Sequence, residues 1–321
     1  MTDRPPFSFD RATGRLDGAT GPERCAALAF AAGAKVSAPM HYRGFSIGCR
    51  IVNTMIDRRE IVVLLNDDAR FAFPFGDGYW SLLLDRSFVY EGEIERFLRS
   101  IAEVDYGFVD GGANFGFWSV LVTSAPFGSH PAIAIEPSSK NFARLSNNAK
   151  INGSRFEVMQ SAIGATRGIA RLSGTKHEAF SIAGGADAGG EVVPVVALDN
   201  LLDYGKISPD GKYLIKLDVE GVEIEAIKGG TRVLQGDAVI LCEEHGNDRN
   251  HTVSRYILEQ TPLDLIVHDP ASDRFETLTK LSILDRIKVA SHVGYNVFGT
   301  SSAFWQDRFR RLNATASQRV H

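Results

Sequence analysis

The sequence predicts a doubly wound α/β domain over residues ~100 to ~300, preceded by a small α+β cap. Three observations carry this. A strand runs into a glycine turn and then a helix at "YGFVDGGANFGFWSVL"; apolar strands then alternate with amphipathic helices as far as residue 260. The strands read as continuous apolar runs rather than alternating ones, the mark of a parallel sheet buried on both faces.

The bulk numbers agree. A chain of 321 residues, 44% hydrophobic and 23% charged, suits one main domain with an appendage. The net charge is -4 and no dense basic run is present, so nucleic acid is not an expected partner. Cys25, Cys49 and Cys242 are few, widely spaced and without a CxxC. They suggest neither a disulfide framework nor a zinc cluster, and a reducing cytoplasm fits. The early apolar run "CAALAFAAGA", 25 to 34, is too short to span a bilayer and follows acidic residues, so it reads as an ordinary helix rather than a signal peptide. Membrane attachment finds no support in it.

In chain order, residues 1–20 are rich in Pro, Gly and charge and are expected to be poorly ordered apart from the packing of Phe7 and Phe9. Three runs, "FSIGCRIV", "EIVVLLN" and "RFAFPF", read as strands of a small antiparallel cap, so that residues 1–100 form the N-terminal extension. "YEGEIERFLRSIAE" places Ile94, Phe97, Leu98 and Ile101 on one helical face. The main domain, 101–305, follows with the strands "YGFVD", "AIAIE", "FEVMQSAIG", "YLIKLD" and "AVILCEEH". Helices are expected at "NFGFWSVLVTSA", "SSKNFARLSNNAKING", "EGVEIEAIKGG", with Gly229 and Gly230 at its end, and "TVSRYILEQ". The Gly-rich stretch 173–190 reads as a surface loop and 306–321 as a C-terminal tail.

The glycine turn defines the ligand. Gly111, Gly112 and Gly116 do not make GxGxxG, and Phe117 and Trp118 stand where a Walker motif needs Lys and Ser or Thr. Twenty positions past Gly116, Glu136 closes "AIAIE", where an acid accepts hydrogen bonds from both ribose hydroxyls. Ribose without phosphates, among acids that tolerate positive charge, describes S-adenosylmethionine, with Asp110 near its amino-acid end. A second pair of acids, Asp218 and Glu220 in "LIKLDVEGVEIEAIKGG", lies at the carboxyl edge of the sheet, with Glu220 read as opening a helix. Two such neighbours repel unless something cationic or protic sits between them.

These segments, with "YEGEIERFL", "AIEPSSKNFARLSNNAKIN" and "ALDNLL", resemble the FkbM family of S-adenosylmethionine-dependent methyltransferases over about residues 90 to 245. The resemblance implies the seven-stranded, mostly parallel, Rossmann-like sheet of class I methyltransferases and O-methylation of a sugar or polyketide hydroxyl. It places the cofactor at Asp110, Gly112, Asn114 and Gly116, with Glu136 on the ribose and Ala162 beside the adenine. Asp218 and Glu220 would face the reactive end. "QSAI" at 160–163 lacks the acid that many class I enzymes use on the adenine amino group.

A hydroxyl acceptor needs a base within reach. The candidates are His245, Asp218 and Glu220. His245 is favoured because it directly follows "AVILCEE", and Glu243 or Glu244 would orient its ring or bind the acceptor. Asp218, Glu220 and Glu243 or Glu244 would also suit a divalent cation, but no metal is assigned. Phe75, Tyr79, Trp80 and Tyr90 read as core rather than as an acceptor pocket. A nucleotide-dependent oxidoreductase would want GxGxxG or a Tyr-x-x-x-Lys pair, and a scaffold that had lost transfer would not keep all these polar groups. Exposed edges of the cap would allow pairing between copies.

Overall fold

A computed structural model describes residues 4–173, 181–182 and 190–318. The cap comes first. Strand β1 (Phe7–Asp10) pairs antiparallel with β2 (Leu16–Asp17), and the chain then forms helices α1 (Gly21–Ser37) and α2 (Phe45–Val52). Strands β3 (Glu60–Asn66) and β4 (Ala69–Pro74) complete a four-stranded sheet in the order β2-β1-β3-β4. It is mixed rather than purely antiparallel, since β1 runs parallel to β3.

Two expectations fail here. The start of the chain is ordered from β1 onward, because Phe7 and Phe9 both point inward and the Asp10 carboxylate accepts the turn N–H groups of Ala12 and Thr13. "FSIGCRIV" is helix α2 rather than a strand. Its burial follows the helical spacing of Phe45 and Cys49, and Ile47 and Ile51 are left in solvent. Helix α1 is the expected one, opened by a capping box between Thr20 and Glu23.

Helix α3 (Gly92–Ser100) leads into β5 (Gly107–Gly111), the glycine turn and α4 (Phe117–Val122). Next come β6 (Ala132–Ile135), α5 (Ser139–Ile151) and β7 (Glu157–Met159). Short strands β8 (Ala162–Ile163), β9 (Gly168–Ser173), β10 (Ser181–Ile182) and β11 (Glu191–Val196) form a separate small sheet that the sequence reading lacks. Most of the expected loop at 173–190 lies outside the described residues. The chain continues through α6 (Leu198–Asp203), β12 (Lys212–Leu217), α7 (Glu223–Lys228), β13 (Asp237–Glu244) and α8 (Thr252–Gln260). It ends in β14 (Asp264–Asp269), β15 (Arg274–Thr277), α9 (Ser282–Ile287), β16 (Tyr295–Thr300) and α10 (Ala303–Gln318).

The main sheet has the order β15-β14-β16-β13-β12-β5-β6-β7. Strands β13 to β7 in that order are all parallel, and β16 runs antiparallel between β13 and β14. The doubly wound sheet is therefore present, and the hairpin strand β15 extends it by one at the edge. Both faces are packed. Phe108, Trp118, Phe298 and Trp305 share one aromatic-rich core with the cap, while Val109, Ile135, Ile215 and Ile240 face α6 to α9 on the other side. From β5 the chain winds outward to β7, then returns to build β12 and β13 on the other flank, so β5 and β12 frame the switch point where such sheets bind ligands.

Candidate active site

At the switch point the two strand ends are close enough to demand glycine. Gly112 has φ +75, and a Cβ there would lie 1.8 Å from the Asp218 carbonyl oxygen. Gly112 and Ala113 both donate their N–H to the Ile135 carbonyl, at 2.9 and 3.0 Å, which ties the turn to β6. Asn114, at φ 53, then aims its N–H at Glu136 Oε2, 2.9 Å away.

Glu136 is buried at the end of β6, and its Oε1 accepts from the Ser138 N–H at 3.0 Å and Asn141 Nδ2 at 3.4 Å. Burial outweighs these donors and pushes its pKa up to about 8. Asp110, also buried, accepts from Ser119 N–H and Oγ at 3.2 and 2.6 Å and so fixes the first turn of α4. Its pKa too is raised by burial, against the pull of Lys216.

Lys216 lies inside β12, 4% exposed, with Nζ 2.8 Å from Asp218 Oδ2. Burial alone would lower its pKa, but Asp218, Glu91 and Asp110 together raise it, so it stays an ammonium. It is the cationic group that Asp218 and its neighbours call for. Glu220 follows with φ 54, three residues ahead of α7. It therefore does not open that helix; Glu223 does, and takes the Gly221 N–H at 3.1 Å. The two acids that end β13 divide by the alternation of the strand. Glu244 turns to the helix side and accepts from Ser254 N–H and Oγ, at 2.8 and 2.7 Å. Glu243 faces the cleft, where burial first, then Asp218 and Glu91, raise its pKa well above the usual carboxylate range. His245 stands exposed at the rim.

These groups surround a cleft of about 230 Å³. Asp110, Gly112, Asn114, Glu136, Ala162, Asp218, Glu220 and His245 all line it. Gly116 does not; it has φ +84 and its Cβ would lie 2.5 Å from Leu145 Cδ1, so it serves the packing of α4 on α5. Phe75 is core, as expected, but Tyr79, Trp80 and Tyr90 belong both to the core and to the cleft wall. Tyr79 donates its hydroxyl to that of Tyr90 at 2.8 Å, and Trp80 stacks on Phe117 with ring centres 5.5 Å apart.

Sequence reasoning missed Lys216, Glu91 and Trp118. Glu91, at φ 45 before α3, accepts from Trp118 Nε1 at 2.6 Å and from Asn296 Nδ2 at 3.1 Å, which binds α3, α4 and β16 together behind the cleft. The signal for Lys216 was in plain view, as a lone charge inside an apolar strand. Among the described residues no group of three His, Cys, Asp or Glu side chains is set to hold a metal ion.

The doubly wound sheet thus carries an acid-lined cleft at its switch point. Residues 110–262 match the family model of the methyltransferase FkbM domain, a match that supports a methyltransferase. It is 23% identical over 191 residues to the hexuronic acid methyltransferase AglP of Haloferax volcanii, covering 60% of this chain and 76% of that one. Among solved structures, the methyltransferase FkbM from Methylobacillus flagellatus KT aligns at 17% identity with a TM-score of 0.38, over 61% of this chain and 43% of that one. A SAM-dependent O-methyltransferase from Thermotoga maritima aligns at 13% identity with a TM-score of 0.34, over 66% of each chain. The chain thus spans less than half of the solved FkbM protein.

Proposed function

We propose that the chain transfers a methyl group from S-adenosylmethionine to a hydroxyl of a glycan or another small polyol-like acceptor. The observation that carries this reading is the set of carboxyl groups that lines the cleft. Among the described residues Asp110, Glu136, Asp218, Glu220 and Glu243 line it against the single ammonium of Lys216, with His245 at the rim. Such a surplus suits a cationic ligand and fits neither a pyrophosphate nor a nucleotide tail.

The donor set fits the cofactor. Glu136 would take the ribose hydroxyls, the Gly111–Gly112 turn and Asp110 would flank the amino-acid end, and Ala162 with Ile163 would border the adenine. Bound there, S-adenosylmethionine supplies an electrophilic methyl group on a sulfonium. The remaining work falls to the chain. The wall of Tyr79, Trp80 and Tyr90 excludes water and holds the acceptor, and His245 at the rim takes the hydroxyl proton as the oxygen attacks. Asp218, held by Lys216, gives the charge that keeps a cation in place, with Glu243, its pKa raised by burial, facing the same cleft. Support for a sugar acceptor comes from the printed activity of the Haloferax relative.

The test is calorimetric titration with S-adenosylmethionine and S-adenosylhomocysteine, with NAD as control, followed by mass spectrometry of sugar and polyketide acceptors for a product one methylene heavier. Binding of the first pair alone is expected. Glu136→Ala should abolish it, and His245→Gln should leave it intact while lowering kcat by about 10²–10⁴-fold. Binding of NAD, or unchanged affinity in Glu136→Ala, would sink the reading.

A further inference from the structure

Helix α2 presents an apolar row to solvent. Ile47 is 59% exposed and Ile51 57%, one helical turn apart, and Met55, 71% exposed, continues the row in the turn that follows. The end of α1 and the residues after it add Val36 at 73% and Met40 at 54%. Isolated exposed apolar residues are ordinary, but three at four-residue spacing along α2 and the turn after it are not. Its charge is as distinctive. From 35 to 58 the chain carries Lys35, Arg43, Arg50 and Arg58 against Asp57 alone, in a protein whose net charge is -4. Asp57 is itself 3.8 Å from Arg4.

The surface adjoins the cleft. Ser46 of α2 packs on Gly78, whose Cβ would lie 2.8 Å from that of Ser46, and Asn53 donates to the Gly76 carbonyl at 2.7 Å. Tyr79, the next residue, lines the cleft. The His41 ring, in the turn before α2, stands 6.1 Å from that of His292, in the segment that packs on Gly246 beside His245. Val89, 59% exposed, directly precedes the cleft residue Tyr90.

We infer that the α1–α2 face docks on the surface of an anionic lipid bilayer, the apolar row entering the headgroup boundary and the arginines meeting lipid phosphates. An amphipathic helix with apolar residues on one side and cations beside them has the composition of an interfacial anchor, and the excess of cations selects an anionic leaflet over a neutral one. No helix among the described residues is long and apolar enough to cross a membrane, so the contact is peripheral. Docked in this way, the cap brings the cleft mouth to the membrane surface, where a lipid-borne glycan presents its hydroxyls. Only this last step rests on the methyl-transfer reading.

Co-sedimentation of the full chain with phosphatidylglycerol vesicles and with phosphatidylcholine vesicles tests the docking. Binding to the anionic vesicles is expected, weakened by salt, with little binding to the neutral ones. The triple change Ile47→Ser, Ile51→Ser, Met55→Ser touches only exposed positions and should weaken it by at least about tenfold without altering the thermal unfolding curve. Absence of anionic-vesicle binding, equal binding to both vesicles, or full binding by the triple variant would overturn the inference. So would a stable dimer in solution that the triple variant dissociates, because a second copy would then be the occupant. Titration with S-adenosylmethionine on the same samples keeps the two readings apart: vesicle binding without cofactor binding refutes only the methyl-transfer reading.

Discussion

Glu136 shows how burial and ligand chemistry meet in one carboxyl group. Its pKa of about 8 in the free protein lies well above the ordinary glutamate value, so between roughly pH 4.5 and 8 the folded chain holds a proton that the unfolded chain has lost. This stabilising contribution is complete below the unfolded pKa and disappears as pH rises through 8. Ribose hydroxyls would favour the ionised form. The expected outcome is that cofactor affinity rises from pH 6 to 8, with proton release measurable by calorimetry in buffers of different ionisation enthalpy, and that Glu136→Gln loses this dependence and about 10–100-fold in affinity. Lys216 makes the complementary case. Lys216→Met leaves Asp218, Asp110 and Glu91 facing one another without a counter-charge and should cost about 3–5 kcal/mol in urea unfolding. Burial raises the pKa of Glu91 and of Asp110, so the loss should grow as pH rises and these two ionise. Asp218→Asn in the same chain should recover part of it, and simple additivity of the two changes would refute their coupling.

At the scale of elements the glycine turn separates backbone strain from crowding. Gly112 and Gly205 both have positive φ, +75 and +65, but a Cβ at Gly112 would strike the Asp218 carbonyl at 1.8 Å, whereas nothing lies within 4 Å of Gly205. Gly205→Ala should therefore cost about 1 kcal/mol, the strain alone. Gly112→Ala should cost more than about 4 kcal/mol and remove cofactor binding, because the ends of β5 and β12 must part. Similar unfolding midpoints for the two would show that the switch point is looser than drawn. The contrast also explains what the sequence could tell. Five strands of the main sheet, β5, β6, β7, β12 and β13, were legible as apolar runs, two of them ending in acid or glycine as "FVDGG" and "IKLD" do, whereas β14, β15 and β16 were not read, their apolar residues being broken by His268, Glu276 and Asn296. Helix α2 was not, because Phe45, Ile47, Cys49 and Ile51 alternate with small or polar residues and satisfy a period of two, while the packing uses only Phe45 and Cys49. Glu220 was misplaced because its left-handed backbone, which delays α7 to Glu223, leaves no signature in "DVEGVE". Of the cleft, the acids at strand ends could be read, and so could Lys216, the lone charge of β12, whereas Glu91 and the tyrosine pair owe their place to packing between separate segments of the chain.

Across the whole molecule the cap and the sheet share their interior. Phe7, Phe30 and Phe73 of the cap belong to the same buried cluster as Trp118, Phe298 and Trp305. The join is also hydrogen-bonded, since the free edge of β4 is completed by two asparagine side chains one turn apart, Asn148 of α5 and Asn152 at its C-cap. Asn148 Oδ1 accepts from the Ala72 N–H at 2.7 Å while its Nδ2 donates to the Ala72 carbonyl at 3.1 Å. Asn152 treats Arg70 in the same manner, at 2.9 and 2.6 Å. Each amide thus stands in for a paired strand residue and covers an edge that would otherwise be open to another chain. Replacing either by alanine strands two backbone groups, those of Ala72 being fully enclosed, at a cost of about 1–3 kcal/mol for each unsatisfied group. We expect Asn148→Ala to destabilise the protein more than Asn152→Ala, since Asn148 also holds the Phe115 carbonyl beside the cleft at 2.8 Å. Because the core is continuous, both variants should still unfold in one transition, with circular dichroism and tryptophan fluorescence coinciding. An early phase confined to the cap in the unaltered chain would mean that its sheet is an independent unit, and the wall formed by Tyr79 and Trp80 would then be free to move away from the cleft.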